Sequence, residues 1–260
     1  MQAGVEIPAA ELATAIPEAF CVDVAERASR AKASLIARRF DQAPVLHDGA
    51  IAGWVLTSRL TGRGLVDGCV IGLRESVIVS GDASVGDVLR PVAERGLIFL
   101  AGRHGISSFI VASDFDRHAV RSHLYLRIAE IEMLLAAMVR ATVPEDDVIR
   151  HLRGGERKQF EAARDKGRET NAVEYLYLRD YEALVEASTP LRERLETTSG
   201  LTGEALHSLL PLRNCVAHPS KSLLGKFEPV DVAALSERAD RVLGGLRQSQ
   251  ATPLINPCAE

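Results

Sequence analysis

Residues 28–60 read ASRAKASLIARRF–DQAPVLHDG–AIAGWVLTSRL, and residues 85–118 read VGDVLRPVAERG–LIFLAGRHG–ISSFIVASDFDRH. Each stretch opens with apolar residues at helical steps. It then passes into an apolar β run ended by a glycine turn, and on into a second β run. That second run closes on a polar turn that opens another helix. Repeats of this length pack against each other, because neither buries its face alone. The spacing predicts two motifs, over about 17–62 and 76–120, with AFCVDV and ESVIVSG as further β runs.

Outward from the repeats the texture changes near residue 120, where β runs stop and helical periods take over. Leu124, Ile128, Ile131, Leu135 and Met138 recur at steps of four and three, an apolar stripe on one helix face. Further helices are expected at roughly 145–168, 172–187, 203–217 and 229–246, with Thr189-Pro190, Ser199-Gly200 and Pro219-Ser220 as breaks. The expected architecture is α+β over 1–120, all-α over 121–246, and a flexible tail over 247–260. A continuous helix from about residue 118 is the joint.

A chain of 260 residues that is 47 % apolar holds two such cores. A net charge of -4 argues against a DNA-coating surface but leaves room for a few phosphates. Cys21, Cys69, Cys215 and Cys258 form no CxxC pair, and His118 and His123 have no partners at metal-ligand spacing, so no metal site is assigned. No basic leader followed by an apolar run opens the sequence, and no stretch reaches membrane-spanning length. The expectation is a cytoplasmic protein with no membrane partner.

The two repeats resemble the CBS motif, which ends in glycine, an apolar strand, Thr or Ser, two residues, then Asp. Ile110-Val111-Ala112-Ser113-Asp114-Phe115-Asp116-Arg117 fits Ser-x-x-Asp, although Ile110 stands where the family often has glycine. The first copy departs from the pattern. Leu56 and Arg59 take the hydroxyl and carboxylate positions in one register, Thr57 and Leu60 in the other. The resemblance implies one adenine nucleotide (AMP, ADP or ATP) per pair, as a regulatory ligand. Ser113 and Asp116 would hold its ribose, and Arg117, His118 and Arg121 would offset phosphate charge. The competing reading is local: Ser and Asp before a helix are N-cap residues. Trp54 reads as core rather than as a base-stacking residue.

In the second half, Arg213-Asn214 followed by His218 resembles the Arg, four to six residues, His signature of HEPN domains, helical bundles that include metal-independent ribonucleases. His218 precedes Pro219, which pushes it out of helical conformation to a helix end. An imidazole there suits proton transfer at neutral pH. The family also places an acidic residue on its first helix, and Glu132 is the candidate. The resemblance implies a toxin- or defence-type endoribonuclease that responds to an adenine nucleotide and needs no cofactor for catalysis. His218 would act as base, Arg213 would stabilise charge on the phosphate, and Asn214 and Glu132 would assist. It implies a homodimer and an RNA substrate, with no DNA. The alternative is a non-catalytic regulator whose helical part binds RNA or a protein partner, with Arg213 in a structural ion pair to Glu132. Cys215 reads as core. The basic run from Arg150 to Arg168 reads as a solvated face.

Overall fold

A computed structural model of the chain describes residues 6–218 and 220–251. It divides into two compact units. The first comprises the residues up to Val120 with Glu228–Val230, and the second comprises Arg121–Phe227 with the residues from Asp231 onward.

The first unit runs β1 (Thr14–Ala15), β2 (Val22–Asp23), α1 (Ala28–Arg38), β3 (Gln42–His47), β4 (Ala50–Leu56), β5 (Ile71–Gly72), β6 (Val77–Ser80), α2 (Val85–Arg95), β7 (Leu97–Gly102) and β8 (Gly105–Val111). α1 buries Ala28, Ala31 and Leu35, and α2 buries Val85, Val88, Leu89 and Val92. These are single apolar faces at steps of three and four. α2 starts on a reciprocal cap. Ser84 Oγ accepts from the Asp87 N–H at 3.3 Å, and Asp87 Oδ2 accepts from the Ser84 N–H at 2.9 Å.

The strands form two sheets, ordered β2-β3-β4-β5 and β1-β8-β7-β6. Each sheet therefore takes its fourth strand from the segment preceding the other repeat. The hairpins are equivalent residue by residue: Gln42 pairs with Leu56 and Leu97 with Val111, 55 residues later, and each ladder shifts register at the matching place. Gly53 sits where β4 meets β5. Its φ is +155°, and a Cβ there would lie 2.1 Å from the Ile71 carbonyl oxygen, so only glycine fits.

The repeats differ at their ends. The helix expected after the first copy is absent; residues 57–70 hold turns and a 3-10 helix, Val66–Cys69. Gly62, Gly64 and Gly68 in that stretch weigh against a helix.

The second unit is helical: α3 (His118–Thr142, from Arg121 onward), α4 (Glu145–His151), α5 (Gly154–Asp165), α6 (Leu178–Ala187), α7 (Thr189–Ser199), α8 (Gly203–His207), α9 (Leu210–Val216) and α10 (Pro229–Ala251). The stripe of Leu124, Ile128, Ile131, Leu135 and Met138 is buried, so it is consumed within the chain and gives no reason to expect a second copy. α3 is tied to α10 by Arg127–Asp240 at 2.8 Å, Arg247–Glu130 at 2.7 Å and a buried His123–Ser236 hydrogen bond at 3.1 Å.

Two expected boundaries move. Thr189-Pro190 begins α7 rather than breaking the chain. Ser188 caps the helix through Leu191 N–H, and proline in the first turn lacks only an N–H that has no helical partner. The tail expected from residue 247 starts inside α10, which continues to Ala251. Residues 252–260, with Cys258, lie outside the described residues. Among the described residues no helix is long and apolar enough to cross a membrane.

Candidate functional site

In the first unit, the end of β8 and the turn after it meet the end of α1 and the start of β3 around a cavity of about 450 Å³. Phe20, Pro44, Phe109 and Val111 give it an apolar wall, and Arg39, Ser113, Asp114 and Arg117 give it polar groups. Arg39 closes α1 in the left-handed conformation at φ 58°. Such a conformation is uncommon for a residue with a side chain.

Asp114 is the best-held of these groups. Only 7 % of it is exposed. Oδ2 accepts from the Val111 N–H at 2.8 Å, and Oδ1 lies 2.8 Å from Arg117 Nε. Burial pushes its pKa above the usual carboxylate value, while the Val111 bond and the Arg117 charge pull the other way. Arg117 also donates to the Ala13 carbonyl at 3.3 Å and Thr14 Oγ1 at 2.8 Å. It is thus a clamp across the carboxylate rather than a free phosphate ligand.

Of the residues expected to hold ribose and phosphate, Ser113 and Arg117 line this cavity. Asp116 closes the 3-10 turn Ala112–Asp116, outside the lining residues. Sequence reading passed over Asp114. Its signal was the repeat itself. The shared hairpin register sets Val111 against Leu56 and Asp114 against Arg59, the first-copy register already weighed. Arg121 does not belong with phosphate contacts. Its buried guanidinium lies in the second unit and donates to the carbonyls of Cys215, at 2.9 Å, His218, at 3.3 Å, and Lys221. It secures the turn that follows α9.

In the second unit, Arg213 and Asn214 line a cavity of about 350 Å³ together with Glu156, Tyr177, Arg179 and Leu210. Arg213 Nε is 3.5 Å from Glu132 Oε1, and its guanidinium carbon stands 4.8 Å from the centre of the Tyr177 ring. Glu132 Oε1 also accepts from the Leu178 N–H at 2.9 Å, so one carboxylate both caps α6 and anchors Arg213. His218 follows the end of α9. Its N–H donates to the Cys215 carbonyl at 3.2 Å, while its side chain is exposed and outside the lining of this cavity. The structure thus brings Glu132, Arg213 and Asn214 to one place and leaves His218 off it. Cys215 is buried. The basic run is partly spent on local structure: Arg153 pairs with Asp180 at 3.1 Å, and Arg157 donates to the Ile149 carbonyl at 2.7 Å. Among the described residues no three His, Cys, Asp or Glu gather closely enough to hold a metal ion.

No family model matches the sequence, and no curated protein matches it. Solved structures do. A haemolysin-like protein containing a CBS domain from Oenococcus oeni PSU is 17 % identical, with 44 % of this chain and 90 % of that chain covered and a TM-score of 0.38. A CBS-pair protein from Arabidopsis thaliana is 13 % identical, with 45 % and 97 % covered and a TM-score of 0.40. CbpB in complex with c-di-AMP is 9 % identical, with 42 % and 81 % covered and a TM-score of 0.35. Over less than half its length, then, the chain is similar to CBS-domain proteins.

Proposed function

We propose that the chain is a nucleotide-responsive regulator in which a CBS-like first unit binds one adenine nucleotide and a HEPN-like helical unit acts as the RNA-binding effector. The observation that carries this reading is Asp114, a buried carboxylate lining a cavity that also presents arginines. A carboxylate accepts both hydroxyls of a ribose, and Arg39 stands ready for phosphate. Ribose binding has to compete with Arg117 for Oδ1, so the clamp opens when ligand enters. The adenine preference comes from the CBS resemblance.

Calorimetry on the full chain with AMP, ADP, ATP and c-di-AMP tests the reading. Binding by at least one, lost in Asp114→Ala, is expected. Heat from none of them would refute it, and equal binding by Asp114→Ala would move the site elsewhere.

Arg213 and Asn214, lining one cavity beside Arg179, favour a second reading, the metal-independent ribonuclease. In it His218 takes the 2′-hydroxyl proton and Arg213 stabilises charge on the phosphate. His218 lies outside this cavity, and the HEPN resemblance implies a site formed between two protomers. Tyr125 and Met133 on α3 are exposed apolar residues that suit such a homodimer. RNA cleavage by the wild type in EDTA, abolished in His218→Ala, is the expected result. Failure to cleave RNA with or without nucleotide would leave the regulator alone.

A further inference from the structure

We propose that the cavity of about 350 Å³ in the second unit is a base-reading pocket for an unpaired guanine of RNA, with Tyr177 as its stacking residue and Glu156 as its specificity-determining residue. The selection rests on the RNA-binding reading of this unit and names the base it takes. Two of the groups that line the cavity have no task inside the fold. The half-buried Glu156 carboxylate, in the first turn of α5, has no hydrogen-bond or ion-pair partner among the described residues, and neither has the Asn214 side-chain amide. The cations of the lining are already engaged, Arg213 by Glu132 at 3.5 Å and Arg179 by Asp180 at 3.7 Å. What stays open to a ligand is one anionic acceptor, one neutral amide and an aromatic ring.

Tyr177 is 43 % exposed, and the Arg213 guanidinium carbon stands 4.8 Å from the centre of its ring. An aromatic ring kept at the surface of a cavity and held by a cation is a platform for a base, and only an unstacked base can reach it. Glu156 then chooses among bases. An ionised carboxylate only accepts, through two oxygens. Guanine alone among the four RNA bases sets two donors side by side on its pairing edge, N1–H and the N2 amino group, and so fills both oxygens. Adenine and cytosine set a ring-nitrogen lone pair beside their amino group, and uracil flanks its N3–H with two carbonyls. Each of these brings an acceptor against the carboxylate. The Asn214 amide supplies a donor for guanine O6. The Glu156 charge repels phosphate from its own position, which leaves the RNA backbone to Arg213.

The test measures binding of the full-length protein to short fluorescent 2′-O-methyl oligouridylates, which have no 2′-hydroxyl to attack the backbone. Each carries one central guanosine, inosine, adenosine or cytidine, and a last one is uridine throughout. The guanosine oligonucleotide is expected to bind about tenfold or more tighter than those with adenosine, cytidine or uridine alone. Inosine, which lacks the N2 amino group, is expected in between. Glu156→Gln should remove most of the guanosine preference. Tyr177→Ala should weaken the guanosine oligonucleotide by about tenfold or more, and Tyr177→Phe, which keeps the ring, should bind like the wild type. The inosine comparison needs no variant, so it holds even if a substitution disturbs the fold. Equal affinity for all the oligonucleotides overturns the pocket and leaves the RNA-binding reading standing, and so does a guanosine preference that Glu156→Gln leaves intact. No binding of any of them overturns both. GMP that displaces the guanosine oligonucleotide as readily as the oligonucleotide itself would make the ligand a free nucleotide and overturn the assignment to RNA.

Discussion

Replacing Asp114 by alanine and by asparagine separates what its carboxylate does for the fold from what it does for a ligand. Two contacts are at stake. The Val111 N–H at 2.8 Å is a part-buried backbone donor, and alanine leaves it unsatisfied at a cost of about 1–3 kcal/mol. The Arg117 side chain is 43 % exposed, so water takes over much of its pairing and this contact is worth about 0.2–1 kcal/mol. Asparagine keeps an oxygen for Val111 and loses only the ion pair. Asp114→Ala should therefore destabilise the first unit by about 1–3 kcal/mol and Asp114→Asn by less than about 1 kcal/mol. Urea unfolding followed at Trp54 reads this unit directly. Equal destabilisation by both variants would show that the Val111 bond is not what holds the turn.

The pH dependence gives a second check. The folded-state pKa of Asp114 is raised above its ordinary value of 3.8, so the native state binds its proton more readily than the unfolded chain does. The sign is then fixed. From 3.8 upward through the raised value this group's contribution to stability is lost as pH rises, and it returns as pH falls. Asparagine does not titrate, so its stability lacks this pH dependence. Wild type should gain stability relative to Asp114→Asn as pH is lowered from about 7 toward about 4, and a relative loss would contradict the burial argument. On the ligand side both variants should lose nucleotide affinity by about tenfold or more, because neither side chain is a charged acceptor.

Three further outcomes are expected. Glu132→Ala should cost about 1–2 kcal/mol by uncapping α6 and releasing Arg213, whereas Glu132→Gln keeps the cap and costs less; identical melting curves for the two would separate Glu132 from the α6 cap. Arg121→Met leaves the carbonyls of Cys215, His218 and Lys221 without their donor and should cost about 3 kcal/mol, with faster amide exchange over residues 215–221; unchanged exchange there would count against it. Met133 is 69 % exposed on α3, and if this face joins two copies, Met133→Lys should turn a dimer into a monomer by light scattering; a dimer that survives the change would place the interface elsewhere.

The two hairpins were readable because six- and seven-residue strands carry enough residues to show a pattern, as LIFLAG does. β1 and β5 have two residues each, too few for any alternation, and their exchange between sheets is decided by tertiary pairing. The candidate site was half legible. The turn after β8 offers both Ser113-x-x-Asp116 and Val111-x-x-Asp114, and local spacing does not choose between them. The hairpin register aligns the second of these with Leu56-x-x-Arg59, through the 55-residue equivalence. In the helical unit the apolar stripe was visible as periodicity, and the candidate Glu132 followed from the HEPN resemblance. The direction of the His218 side chain was not, because it depends on how Arg121 gathers three carbonyls from a turn far away in sequence.

The traded fourth strands have a consequence for what counts as a part of this protein. A cut in the exposed stretch Thr61–Gly64 would leave one fragment owning β1 but lacking β5, and another owning β5 but lacking β1. Each piece then has an unsatisfied sheet edge that only the other can fill, so the halves are complements rather than modules. Mixed together, they should reassemble into one body; kept apart, neither should hold its sheet. A single repeat on its own therefore needs a second chain to lend it a strand, and joining two repeats in one polypeptide replaces that encounter by a tether that keeps the lender always at hand.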